Sequence, residues 1–260
     1  MTVLTTERRP DGVAVLTLNL PERRNAMTPE LTSAWQAAIA GLGSDRAVRA
    51  VVVTGAGSAF CAGGDLSWLD TGPDASVPDL RERMLPFYRA WLSIRELEVP
   101  TIAAVNGPAV GAGAALALAC DLRYASPQAS LSVPFTALGI HAGMATTWLL
   151  PEVAGLAVAR DLLLTGRTVG ADEAVRLGLV NGVPEGDLLT EVTAIAARIA
   201  ANAPVATKLT KLALARGGHA SFEDALQWEA LAQPVTMASA DLAEGLAAAR
   251  ERRKPHFGGR

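Results

Sequence analysis

Between Val99 and Pro151 the only Asp, Glu, Lys or Arg residues are Asp121 and Arg123. A stretch this long with so few groups that gain from contact with water belongs inside a protein core or inside a bilayer. Val99 to Cys120 alone approaches the roughly 20 apolar residues that span a membrane. Asn106-Gly107-Pro108 breaks it in the middle, and Ala and Gly dominate the rest, so a buried strand, a turn and a buried helix fit it better. Elsewhere the chain is ordinary: 19% of its 260 residues are charged, with a formal net charge of −3. That balance offers no basic surface for a phosphate backbone, so neither nucleic acid nor a membrane is an expected partner. Cys61 and Cys120 lack metal-ligand spacing and read as reduced thiols of a cytoplasmic protein, and no metal is expected. The first nine residues hold no apolar run behind a basic cluster, which argues against a signal peptide.

Val13 to Leu20 is β-branched and apolar enough for a strand, ended by Pro21 to Asn25. Thr28 suits an N-cap with Pro29 in the first helical position, and Leu31, Trp35, Ala38, Ile39 and Leu42 recur at helical spacing. Ala50 to Thr54, Thr101 to Val105 and Leu122 to Ala125 are short apolar runs of the kind that suits parallel strands buried on both faces. Strands separated by helical segments need crossovers, which implies an α/β domain. After Gly155 the segments Leu156 to Leu164, Ala171 to Leu177, Leu188 to Ala201, Val205 to Arg216 and Phe222 to Met237 read as helices, punctuated at Gly217-Gly218 and Gln233-Pro234. The expected plan is a core over residues 1–187 and a helical region over 188–260. Ser67 to Arg83, polar and containing Gly72, Pro73 and Pro78, reads as a mobile lid.

Two glycine-rich turns carry the chemical interest: Phe60-Cys61-Ala62-Gly63-Gly64-Asp65, and Asn106-Gly107-Pro108-Ala109-Val110-Gly111-Ala112-Gly113. Each follows a strand and presents backbone N–H groups where a helix begins, without side chains to block a ligand. One such turn can bind a phosphate, and two that converge can form a two-donor oxyanion hole; glycines used for close packing alone are the structural alternative. Gly55-Ala56-Gly57 and Gly111-Ala112-Gly113 both lack the third glycine of a dinucleotide fingerprint, which leaves a nicotinamide-dependent oxidoreductase as a distant alternative.

The chain resembles the crotonase (enoyl-CoA hydratase/isomerase) superfamily over nearly its whole length. The likeness is carried in order by Leu18-Asn19-Leu20-Pro21 with Arg24-Asn25-Ala26, by Val53-Thr54-Gly55 leading to Phe60-Cys61-Ala62-Gly63-Gly64-Asp65-Leu66, and by Ala103-Ala104-Val105-Asn106-Gly107 through Ala119-Cys120-Asp121-Leu122-Arg123. Leu163-Leu164-Thr165-Gly166, Gly178-Leu179-Val180 and Glu251-Arg252-Arg253-Lys254-Pro255-His256-Phe257 continue it. The resemblance implies an α/β spiral of ββα units, a helical C-terminal trimerisation region in a homotrimer or hexamer, a place in fatty acid metabolism, and an acyl-CoA thioester as substrate. Coenzyme A is then part of the substrate, and no separate cofactor is implied. The implied oxyanion donors are the N–H groups of Gly64 and Ala112. Arg24, Ala26, Ala62 and Leu66 match contacts to the CoA adenine and pantetheine, and Arg252 matches a basic residue that reaches a CoA phosphate. Asp65, Gly111, Phe135, Leu138 and Gly143 fall along the implied substrate path.

The same comparison marks departures. Ala115 and Phe135 stand where hydratases of the superfamily carry glutamates, and Gly143 stands where other branches carry an aspartate. Hydration needs one group to activate water and another to protonate the α-carbon, and neither Ala nor Phe does either. Isomerase, decarboxylase or other CoA-ester lyase chemistry is therefore expected ahead of hydration, with a non-catalytic acyl-CoA-binding protein as the alternative. His141 is the titratable residue left in that loop and a candidate proton carrier, the alternative being a histidine bonded to a nearby carbonyl. Asp65 reads as a turn and capping residue. Asp70, Asp74 and Glu82 read as solvated surface that a lid could swing inward. Cys61 has no identifiable base to make it a nucleophile. Trp68, Trp91 and Trp148 read as packing, with Phe135 and Trp148 expected to dry the acyl pocket.

Overall fold

The computed structural model describes residues 2–65, 76–215 and 221–260. Its strands are β1 (Leu4–Arg8), β2 (Val13–Leu18), β3 (Ala50–Gly55), β4 (Thr101–Val105), β5 (Ala109–Val110), β6 (Leu122–Ala125), β7 (Ser130–Ser132) and β8 (Thr168–Gly170). The main sheet runs in the order β1-β2-β3-β4-β6, with β1 antiparallel to β2 and the other pairs parallel. Every residue of β3 and β4 is buried, as continuous apolar runs in a covered parallel sheet require. A smaller sheet, β5-β7-β8, lies beside the second glycine turn.

Helix α1 (Pro29–Ser44) is capped by the Thr28 side chain, which accepts from the Leu31 N–H, and it buries Leu31, Trp35, Ile39 and Leu42. Helix α2 (Val77–Leu92) packs against it, with Trp91 stacked on Trp35 at 5.0 Å between ring centroids and the Trp91 Nε1–H donating to Thr32 Oγ1. Helix α3 (Ala112–Ala119) is buried along its whole length. Helix α4 (Thr146–Thr165) changes direction at Gly155, and α5 (Ala171–Arg176) follows β8. The opposite face of the sheet, formed by Val13, Val15, Ala50, Val52, Ile102 and Ala104, is covered by Leu188, Val192 and Ala196 of α6 (Leu188–Ala200). Helices α7 (Pro204–Ala215), α8 (Phe222–Met237) and α9 (Ala240–Glu251) complete the tail. Among the described residues no helix is long and apolar enough to cross a membrane.

One expectation needs correction. Residues 77–83 of the expected lid are the first turns of α2, started by Ser76, whose side chain accepts from the Asp79 N–H; Ser67 to Ala75, with Trp68, Asp70 and Asp74, lie outside the described residues. Pro78 falls in the first turn of that helix, where its missing N–H costs nothing, so it starts the helix instead of preventing one. The expected helix over Phe222 to Met237 is present with Pro234 inside it, and Gly217 and Gly218 are outside the described residues.

Candidate active site

The two glycine turns run side by side. The N–H groups of Phe60 and Cys61 donate to Pro108 O at 3.1 and 3.2 Å, and the Val110 N–H donates to Cys61 O at 3.0 Å. Two asparagine side chains set the turn geometry. Asn25 Nδ2 donates to Ala56 O and Ala59 O at 2.9 and 2.8 Å while its Oδ1 accepts from the Leu20 N–H. Asn106 Oδ1 accepts from the Gly55 N–H at 3.0 Å and its Nδ2 donates to Ala59 O at 3.2 Å. Side-chain amides thereby replace the backbone pairing that the irregular turns cannot make for themselves.

Gly63 lets the turns touch. Its φ is +88°, and a Cβ there would stand 2.5 Å from Val110 O and 3.2 Å from Ala112 N. The next residue, Gly64, pairs with Met27 through a bridge in which the Met27 N–H donates to Gly63 O. Ala112 is the first residue of α3, where N–H groups have no intrahelical acceptor. Among the described residues neither the Gly64 nor the Ala112 N–H donates to a protein acceptor.

Both turns open onto a cavity of about 720 Å³. Ala26, Ala62, Gly64, Asp65, Gly111 and Ala112 line one side of it. Phe135, Leu138, His141 and Gly143 line another, so the structure brings most of the sequence-derived candidates together. Arg24 and Arg252 are exposed and lie outside this lining, whereas Arg23 is part of it; Leu66 is outside the described residues. Ala115 is fully buried in α3 and does not reach the cavity wall. Phe135 does reach it, its ring 3.9 Å from where a Gly111 Cβ would stand. Among the described residues the one carboxylate on the wall is Asp65, and it is ion-paired with Arg23.

His141 places Nδ1 2.7 Å from Ala142 O. A carbonyl only accepts, so Nδ1 carries the hydrogen and the neutral ring keeps a lone pair on Nε2. Cys61 is excluded as a nucleophile: burial pushes its thiol up to about 12, and its Sγ donates to Asn25 O at 3.1 Å. Trp148 does not dry the pocket. It is 62% exposed on α4 and absent from the lining.

The third side of the cavity was not foreseen from the sequence. Leu80, Met84, Phe87 and Tyr88 of α2 line it, at the i, i+4, i+7, i+8 spacing of one helical face. That spacing is the available signal, and two prolines and a run of charges obscure it. Burial raises the Tyr88 phenol above its ordinary value, against a backbone hydrogen bond from Met144 that lowers it.

Residues 8–260 match the enoyl-CoA hydratase/isomerase family. The chain is 42% identical over 246 residues to a Thermus thermophilus protein provisionally named an enoyl-CoA hydratase, covering 94% of this chain and 97% of that one. It is 36% identical over 252 residues to a crotonyl-CoA hydratase of Syntrophomonas wolfei, covering 96% of this chain and 95% of the relative. The crystal structure of an enoyl-CoA hydratase from Bacillus anthracis superposes with a TM-score of 0.93 at 33% identity, over 99% of this chain and 100% of the other. The chain belongs to the enoyl-CoA hydratase/isomerase family, the crotonase superfamily, and has its α/β fold. Membership implies an acyl-CoA substrate and leaves the nicotinamide-dependent alternative without support.

Proposed function

We propose that the cavity takes the acyl end of a CoA thioester with the carbonyl oxygen on the Gly64 and Ala112 N–H groups, and that the reaction moves one proton at the α-carbon of an enolate. The observation that carries this reading is the pair of amides without protein acceptors among the described residues, at the meeting of two turns that open on one apolar cavity. Donors held in place for a developing oxyanion are worth about 3 kcal/mol each. Ala26, Ala62, Asp65 and Leu66, with Arg24 and Arg252, would hold the CoA portion; Gly111, Phe135, Leu138 and Gly143 would border the acyl group.

The absence of a carboxylate at Ala115 and Phe135 disfavours hydration, which needs two positioned groups. Isomerisation needs one group that removes a proton and returns it elsewhere. Decarboxylation of a 2-carboxyacyl thioester needs no base: the C–C bond breaks, carbon dioxide leaves, and its electron pair stays on the α-carbon as the enolate. His141 supports either as a proton carrier at the cavity wall, through Nε2. A wall with Asp65 as its one carboxylate among the described residues also favours a second reading, an acyl-CoA binder without turnover. We further propose that the chain works as a trimer or hexamer in the cytoplasm.

The test is a comparison of thioesters. With crotonyl-CoA, hydration is expected at least about 1,000-fold below the rate of a glutamate-bearing hydratase, the scale of a lost acid–base pair. With malonyl-CoA or butyryl-CoA in D2O, deuterium is expected at the α-carbon. Ordinary hydratase turnover overturns the one-proton reading, and tight acyl-CoA binding with no turnover of any thioester selects the binder.

A further inference from the structure

Tyr88 brings a hydroxyl to the cavity wall that the one-proton reading does not use. We propose that Tyr88 is a catalytic residue whose phenolic O–H faces the α-carbon of the bound acyl group and delivers the proton to the enolate. This deepens the acyl-CoA reading and rests on it.

Three features of the molecule place the hydroxyl. First, Tyr88 shares its helical face with Leu80, Met84 and Phe87, so α2 anchors the ring among apolar groups while the oxygen reaches the cavity. Second, a Cβ on Gly143 would stand 2.5 Å from Tyr88 Oη and 3.2 Å from its Cζ, so the hydroxyl occupies the space that any side chain at 143 would take. Third, Met144 and Ala145 both have φ of +54°, a left-handed conformation that costs non-glycine residues on the order of 1 kcal/mol or more. That turn brings the Met144 backbone toward the phenol, where it acts against the effect of burial. Among the described residues the phenol donates to no protein acceptor, which leaves its hydrogen for a bound group.

The step balances without another reactant. The enolate electron pair takes the Tyr88 proton and forms the new Cα–H bond, the thioester carbonyl re-forms, and the phenolate recovers a proton from water. His141, exposed in the loop that ends at Met144, stands on the solvent side of that return. A phenol kept above its ordinary range by burial stays protonated at neutral pH, as a donor must.

The full-length protein is tested with malonyl-CoA and butyryl-CoA in D2O, reading deuterium at the α-carbon by mass spectrometry and affinity by calorimetry. Tyr88→Phe keeps the ring and is expected to slow deuterium delivery about 100-fold while the Kd for butyryl-CoA changes by less than about threefold. Gly143→Ala, which displaces the hydroxyl, is expected to slow delivery, and the double variant is expected to be no slower than Tyr88→Phe alone. Tyr88→Phe delivering deuterium at the wild-type rate overturns the proposal. Wild-type protein that binds butyryl-CoA but delivers no deuterium from either thioester also overturns it and leaves the acyl-CoA assignment standing. Wild-type protein that binds no acyl-CoA overturns both together.

Discussion

A methyl group on Gly63 would sit 2.5 Å from the Val110 carbonyl oxygen, on a residue whose φ of +88° already disfavours any L side chain. Gly63→Ala must therefore separate the two turns or distort one of them. The expected cost is about 1 to 3 kcal/mol of stability, measured as a shift in the urea midpoint. The functional loss should exceed what that destabilisation explains, because Gly64 and Ala112 then no longer aim at one point; unchanged turnover would show that their spacing does not matter. This part of the site was legible in the sequence, since glycines clustered after apolar strands announce a close backbone approach. Tyr88 was not legible. Its hydroxyl meets Gly143 from 55 residues away, and nothing local to either residue reports that contact.

At the scale of elements, α3 explains why Asp121 and Arg123 are the two charges in an otherwise uncharged stretch. Both act at the end of that helix remote from Ala112. Arg123 is 7% exposed and donates from Nη1 to Cys120 O at 2.6 Å, a carbonyl that the helix end leaves open, and from Nε to Leu179 O at 2.8 Å beyond α5. Asp121 accepts from the Thr101 N–H at 2.7 Å and pairs with Lys211 at 2.7 Å, tying the start of β6 to β4 and α7. Arg123→Met fills the space but orphans buried acceptors, with an expected loss of about 2 to 4 kcal/mol. Thermal unfolding checks it, and an unaltered Tm would mean that water replaces the guanidinium. The apolar runs of β2, β3, β4 and β6 were readable because burial on both faces demands them. Helix α2 escaped because Pro78 and Pro86 and its mostly polar outer face resemble a loop when its partner Trp35 is out of view.

The acidic response of the C-terminal tail is a second element-scale consequence. Arg253 and the His256 N–H hold Glu244 down to about 2, below its ordinary carboxylate value of 4.5. A carboxyl whose folded value is depressed contributes stability above its unfolded value and loses it as pH falls through the folded one. The tail after α9 should therefore loosen between about pH 4.5 and 2. Hydrogen exchange at the His256 amide reports this directly, and protection that is constant over that range would remove Glu244 as the anchor.

For the whole molecule, the unresolved balance lies in the helical tail. Helix α6 packs its apolar face on the sheet, but α8 has no buried residue. Phe222 and Leu231 are 79% and 74% exposed, and Val235, Met237, Leu242 and Leu246 are exposed near them in sequence. Apolar side chains gathered this densely on one region mark a surface that another chain covers. Symmetric self-association is the commonest way to cover it, and the trimer or hexamer proposed above would do so with copies of the same tail. Sedimentation velocity at micromolar concentration should show a trimer or its double. Leu231→Glu places a charge on that surface and is expected to shift the protein toward monomer while leaving the far-UV circular dichroism of the sheet and α6 unchanged. A wild-type chain that sediments as a monomer would instead require the exposed face of α8 to fold back on its own core.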